Sequence, residues 1–164
     1  KRQQKELEFL GLFFQVFATM KNSSLADMPR VDSLCRDLKI RILQKEAEKN
    51  SGSEGLYDRG LAKRLLTDLT VHAYEEGNVY IEKDDLKRAG IFFEIAAEAG
   101  CNDPIMLYNT ACAFSLLKNK KKALECLKKS LEKGFNRFEL LKKDPNLDFL
   151  REEKEFKKIL QELK

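Results

Sequence analysis

Residues 108–122, YNTACAFSLLKNKKK, place a thiol at Cys112 just ahead of a burst of four lysines. Taken alone, the stretch suggests a reactive cysteine beside a basic patch. A second segment changes that reading. YEEGNVYIEKDDLKRAGIFFEIA, starting at Tyr74, aligns without a gap beneath YNTACAFSLLKNKKKALECLKKS, starting at Tyr108, at an offset of 34 residues. Tyr74 meets Tyr108, Gly77 meets Ala111, Tyr80 meets Phe114, Ala89 meets Ala123, Phe93 meets Leu127 and Ala96 meets Ser130. Cys112 falls where Asn78 stands one unit earlier, and the lysines become the exposed start of a second helix.

The spacing describes a helical hairpin. A small residue on each helix lets the two backbones approach, and large residues at 80/114 and 93/127 fill the space above and below that contact. A period of 34 with small, aromatic, small and large residues in this order resembles the tetratricopeptide repeat, whose unit is two antiparallel helices. The resemblance covers residues 67–134 and departs from the family pattern in places. Cys101 stands where a proline usually closes the unit, and Glu76 and Thr110 replace a leucine. Two units are fewer than the three or so that such a stack needs, so flanking helices must complete the core.

The tail carries a further likeness. LEKGFNRFELLKKDPNLDFLREEKEFKKIL, residues 131–160, resembles the closing segment that follows tetratricopeptide units in many bacterial proteins. Gly134 suits a helix end, and Pro145 a tight turn. Leu147, Phe149, Leu150, Phe156 and Leu160 can fold back over the open end of a stack, as a solenoid requires for solubility.

Upstream, QKELEFLGLFFQVFATMKN puts Leu7, Leu10, Phe14 and Phe17 on one helical face and Phe9, Phe13 and Val16 beside it. That apolar surface is wider than an ordinary amphipathic stripe, so it is either deeply buried or packed on something else, such as a second copy through residues 9–18. Pro29 suits a first helical turn. One helical run is expected from Val31 to Lys49, carrying Leu34, Ile40 and Leu43, and a Gly/Ser loop, KNSGSEG, follows it. One long helix should then run from Leu56 to about Ile81. Asp84 and Asp85 suit a turn and a helix N-terminus.

The expected fold is therefore all-α. Antiparallel helical hairpins stack as a short right-handed solenoid of tetratricopeptide type, in a single domain of 164 residues. N-terminal helices occupy 1–66, the two units 67–134 and the cap 135–164. Composition agrees, with 43% hydrophobic and 35% charged residues, 8 Gly and 3 Pro. Residues 118–164 hold 15 Lys/Arg against 9 Asp/Glu, and the rest 16 against 18, a mild bias that falls short of a nucleic-acid footprint. The longest apolar run, 9–18, is too short for the ~20 residues of a membrane span. A chain beginning at Lys1 rather than methionine reads as an excised or processed piece.

Chemistry-bearing residues are few. Cys35, Cys101, Cys112 and Cys126 are separated by 66, 11 and 14 residues, which excludes a CxxC pair and tight metal-ligand spacing and favours buried free thiols. GSEG lacks the spacing of a nucleophile elbow. His72, the single histidine, lies four residues from both Asp68 and Glu76, where a charged partner could hold it. Lys121, Lys122, Glu125, Lys128, Lys129 and Glu132 form a solvated helix face, with Glu125 and Lys129 at the favourable i,i+4 spacing. No residue is assigned to catalysis, a metal or a cofactor.

The resemblance implies an interaction or scaffold module that holds a peptide or partner domain in a concave groove. Tyr74, Asn78, Tyr108, Asn109 and Cys112 are its candidate lining. Asparagines on the first helices of successive units line the groove in family members that hold a peptide carboxylate, and Asn78 and Asn109 match such positions. The lysine expected there is Tyr74 in this chain. A second expectation is a C-terminal helical accessory domain of a larger bacterial enzyme, α/β-hydrolase-like or thioredoxin-like. That catalytic domain would precede Lys1, and the parent would be periplasmic or secreted.

Overall fold

The structure is a computed structural model and describes residues 2–24, 26–49 and 58–163, all of whose regular elements are helical. The expected Gly/Ser loop, from residue 50 onward, and the start of the long helix at Leu56 lie outside the described residues. Two compact units divide the chain, Lys1–Ala99 and Gly100–Lys164.

The first unit contains α1 (Arg2–Asn22), α2 (Val31–Asp37), α3 (Ile40–Glu48), α4 (Arg59–Glu82) and α5 (Leu86–Ala99). Helix α4 pairs with α5 and also receives α1 and α3, while α2 packs on α5. Asp58 caps α4 by accepting from the Leu61 amide at 2.9 Å, a contact that satisfies one of the orphan N–H groups of a helix start.

Three expectations here need correction. Val31 to Lys49 is not one helix: it breaks after Leu38, where Lys39 takes a left-handed φ of 54°. Leu34, Leu38, Ile40 and Leu43 are all fully or almost fully buried. A continuous helix would point Leu38 and Ile40 about 200° apart, so only a break allows both to face the core. In α1 the buried stripe is Phe9, Phe13, Val16, Phe17 and Met20, whereas Leu7 and Phe14 are 63% and 61% exposed. Phe17 meets Phe92 edge-on at 5.1 Å, and Phe92 stacks on Tyr80 at 5.5 Å. Arg88 ties down the end of α1 by donating to the Met20 carbonyl at 3.4 Å and to the Ser23 carbonyl. Pro29 lies ahead of α2, which is flanked by Arg30, so it is outside the first turn.

The second unit contains α6 (Pro104–Leu116), α7 (Lys120–Glu132), α8 (Phe138–Lys143), a 3₁₀ helix (Pro145–Leu150) and α9 (Lys154–Glu162). Helices α6 and α7 pair, and the 3₁₀ helix packs on α6. Gly134, at φ 99°, ends α7 by donating to the Leu131 carbonyl, and Phe135 donates to Ser130. Leu147, Leu150 and Phe156 are fully buried; Ile159 takes the buried place expected for Leu160.

The 34-residue offset reappears in the backbone of the two hairpin turns. In the first, Lys83 donates to Val79, Asp84 to Ile81 and Asp85 to Tyr80. In the second, Leu117 donates to Ala113, Lys118 to Ser115 and Asn119 to Phe114. Asp84 and Lys118 both adopt φ 57°. This left-handed position satisfies the last carbonyls of the preceding helix. The next residue then caps the following helix, since Asp85 accepts from the Arg88 amide and Asn119 from the Lys122 amide.

Gly77 has a more specific task than expected. A Cβ built there would lie 2.5 Å from the Phe93 ring, so the small residue of α4 receives the large residue of α5 directly. Gly77→Ala should therefore destabilise the protein by about 1–2 kcal/mol in urea denaturation, because overpacking outweighs the helix-propensity gain from alanine. An unchanged midpoint would mean that the Phe93 ring moves aside at little cost.

Candidate functional site

The five candidate lining residues fall on two helices in different units. Tyr74 and Asn78 lie half-buried on α4, one turn apart. Tyr74 has its ring 5.5 Å from that of Phe93. Asn109 lies half-buried on α6. Tyr108 and Cys112, also on α6, are only 3% and 7% exposed.

What covers Tyr108 and Cys112 is the chain's own closing segment. The Tyr108 hydroxyl donates to Asp144 Oδ2 at 2.7 Å, and the Cys112 thiol donates to the same oxygen at 3.7 Å. The Tyr108 ring stacks on Phe135 with centroids 4.2 Å apart and planes 9° from parallel. Asp144 Oδ1 accepts from the Asn146 amide at 2.9 Å, which caps the 3₁₀ helix. The Asp144 carbonyl accepts from the Arg151 guanidinium at 2.9 Å and from the Leu147 amide. Tyr108 and Cys112 thus lie against the closing segment, because a buried carboxylate demands hydrogen-bond donors and these two side chains supply them.

The electrostatics favour packing over catalysis. Burial, and then the negative charge of Asp144, push the Cys112 thiol up to about 12. Burial followed by the hydrogen bond to Asp144 pushes the Tyr108 phenol upward as well. Both groups hold their protons at neutral pH, where a nucleophilic cysteine would need to be a thiolate. Cys35 is raised to about 12 by burial first and by Glu98 next. The cysteine that first drew attention is thus a neutral donor to a structural carboxylate.

His72 Nδ1 donates to the Asp68 backbone carbonyl at 2.8 Å, and its ring meets Phe13 edge-on at 5.4 Å. The side-chain partner expected for it at Glu76 is engaged instead by Lys21. The lysines of α7 are drawn into ion pairs and ring contacts: Lys129 with Glu125 at 2.8 Å, Lys120 with Glu153 at 2.6 Å, Lys128 with Glu155, and Lys122 over Phe114. Among the described residues no cluster of His, Cys, Asp or Glu could hold a metal ion, and no helix is long and apolar enough to cross a membrane.

Asp144 is the residue that sequence reasoning passed over. The Asp-Pro pair marks a turn, but nothing in its local sequence signals that the carboxylate reaches back 36 and 32 residues to α6.

No protein-family model matches the chain, and no solved structure matches it. Among curated proteins, 55 residues are 34% identical to a chloroplastic protein of Arabidopsis thaliana; the stretch is 34% of this chain and 16% of that protein.

Proposed function

We propose that this chain is a non-enzymatic interaction module of tetratricopeptide type, whose hairpins serve as a scaffold for an extended peptide. The observation that supports this reading is the paired turn geometry: two hairpins, 34 residues apart, share the same three backbone hydrogen bonds, the same left-handed residue and the same side-chain cap. Repetition of this kind builds an extended recognition surface rather than a single reaction centre.

Within this reading each hairpin presents its own ligand contacts, Tyr74 and Asn78 in the first unit and Asn109 in the second, and all three retain accessible surface. Tyr108 and Cys112 are assigned to packing beneath Asp144. A carboxamide can donate to and accept from an extended backbone at once, which suits peptide recognition in a groove. The test is selection of a random-peptide display library on the full chain, followed by titration of the selected peptide against Asn78→Ala and Asn109→Ala. Each substitution should weaken binding by about ten-fold, equivalent to about 1.4 kcal/mol. Failure to enrich any peptide, or affinities unchanged in both variants, would remove the groove assignment.

A further inference from the structure

On α4 the half-buried Tyr74 and Asn78 are flanked by acid and by exposed aliphatic surface. Residues 67–82 hold four carboxylates, Asp68, Glu75, Glu76 and Glu82, and no lysine or arginine. Glu76 pairs with Lys21 of α1. Asp68, Glu75 and Glu82 are exposed and have no ion-pair partner among the described residues. The cations that bound the stretch are engaged elsewhere, Arg64 by Glu6 at 2.6 Å and Lys83 over the Tyr80 ring at 5.2 Å. Val71 stands between the first two of these carboxylates and Val79 between the last two, each 38% exposed.

The three carboxylates recur every seven residues. Seven residues are close to two helical turns, so they form one row with a spacing of about 10.5 Å. Rotation about the helix axis sets this row and Val71 within about 80° of Asn78, on the same side of α4.

Building on the groove reading above and resting on it, we infer that the ligand of this face is a basic peptide, extended along α4, with lysine or arginine at every third position. A polyproline-type extended chain has three residues per turn and rises about 3.1 Å per residue, so every third side chain points the same way at intervals of about 9 Å. Flexible lysine and arginine stems take up the small difference from the carboxylate row. Such side chains lay their aliphatic stems on apolar surface and keep the charged head at its partner, which gives Val71 and Val79 the stems and Asp68, Glu75 and Glu82 the heads. Complementary charge selects among partners. An acidic peptide, or a peptide carboxylate of the kind Asn78 suggests, would meet three like charges here and no lysine or arginine in residues 67–82.

The probe is a synthetic peptide of three Lys-Ala-Pro triplets carrying a fluorophore, titrated against the full chain by anisotropy. Binding should weaken at least about three-fold between about 10 and about 150 mM salt, as the Debye length falls from about 30 to about 8 Å. Glu75→Gln should weaken it by about three- to five-fold, the scale of one exposed ion pair. The triple variant Asp68→Asn, Glu75→Gln, Glu82→Gln should weaken it at least about twenty-fold while melting with the parent, since all three side chains are exposed. A peptide of the same composition with its three lysines adjacent should bind at least about three-fold more weakly, because it cannot span the row. A triplet peptide that does not bind, that binds the triple variant as tightly as the parent, or that binds no better than its rearranged form overturns the inference. Asn78→Ala reports on the groove separately. Weakening there with the triple variant unaffected keeps the groove and removes the basic ligand; weakening in the triple variant alone supports the basic ligand and removes Asn78 from the groove.

Discussion

Replacing Asp144 with alanine is expected to lower stability by about 3 kcal/mol, a large loss for a side chain on a connecting segment. Two effects combine. The Tyr108 hydroxyl and the Cys112 thiol lose their shared acceptor inside a closed surface, and stranding a buried donor costs about 1–3 kcal/mol. The 3₁₀ helix also loses its cap at Asn146, worth about 1 kcal/mol. Asp144→Asn keeps an acceptor oxygen for Tyr108 and the shape of the cap, so it should cost about half as much. Tyr108→Phe removes the donor while Asp144 keeps the Asn146 amide, so its cost should be nearer that of one hydrogen bond, about 1 kcal/mol. Hydrogen exchange is the discriminating measurement: in Asp144→Ala, amides of α6 and the 3₁₀ helix should lose protection while those of α4 and α5 keep it. Equal protection in α6 before and after the substitution would mean that Asp144 does not hold the closing segment down.

The larger effect is expected in the first unit. Phe92→Ala should destabilise by about 3–5 kcal/mol, the usual range for emptying a fully buried phenylalanine site. Phe92 is 0% exposed and stands between Phe17 of α1 and Tyr80 of α4. Its removal opens a cavity and also withdraws the ring on which α1 rests. The ion pairs that also hold α1, Lys21 to Glu76 and Glu6 to Arg64, lie on partly exposed surface, and such pairs contribute little, about 0–1 kcal/mol each. Urea denaturation reads the total loss. Limited proteolysis reads its location, with cleavage in α1 appearing before cleavage elsewhere. Phe92→Leu should recover much of the stability, because it fills most of the volume. If Phe92→Leu and Phe92→Ala lost the same amount, the aromatic contacts rather than the volume would dominate.

How far the sequence was legible depends on the range of the interaction that decides each feature. The caps at Asp58, Asp85 and Asn119 act over two to three residues, as does the αL turn at Gly134, and these features follow from residue chemistry with little help from the rest of the chain. The long helix up to Glu82 is also visible, since its Leu61, Leu65 and Leu69 recur at helical spacing and neither Gly nor Pro interrupts residues 61–76. The faces of α1 were not legible in the same way. Leu7 and Phe14 are as apolar as Phe9 and Phe13, so hydropathy cannot rank the two stripes, and only the position of α4 and Phe92 selects which one turns inward. The break at Lys39 is of the same kind, because it serves to bring Leu38 and Ile40 to one core.

The candidate groove divides along the same line. Half-exposure of Tyr74, Asn78 and Asn109 is compatible with their helical positions, but the burial of Tyr108 and Cys112 depends on Asp144 arriving from 36 and 32 residues away. By itself the sequence determined that the chain is helical, that two hairpins share one plan at a 34-residue offset, and where most helices begin and end, because those features are set by local propensity, periodicity and capping. The tertiary structure alone decided which apolar stripe of α1 is covered, that Gly77 receives the Phe93 ring, and that a carboxylate seals Cys112 away. Contacts between residues far apart in sequence settle such matters, and no short window of residues contains them.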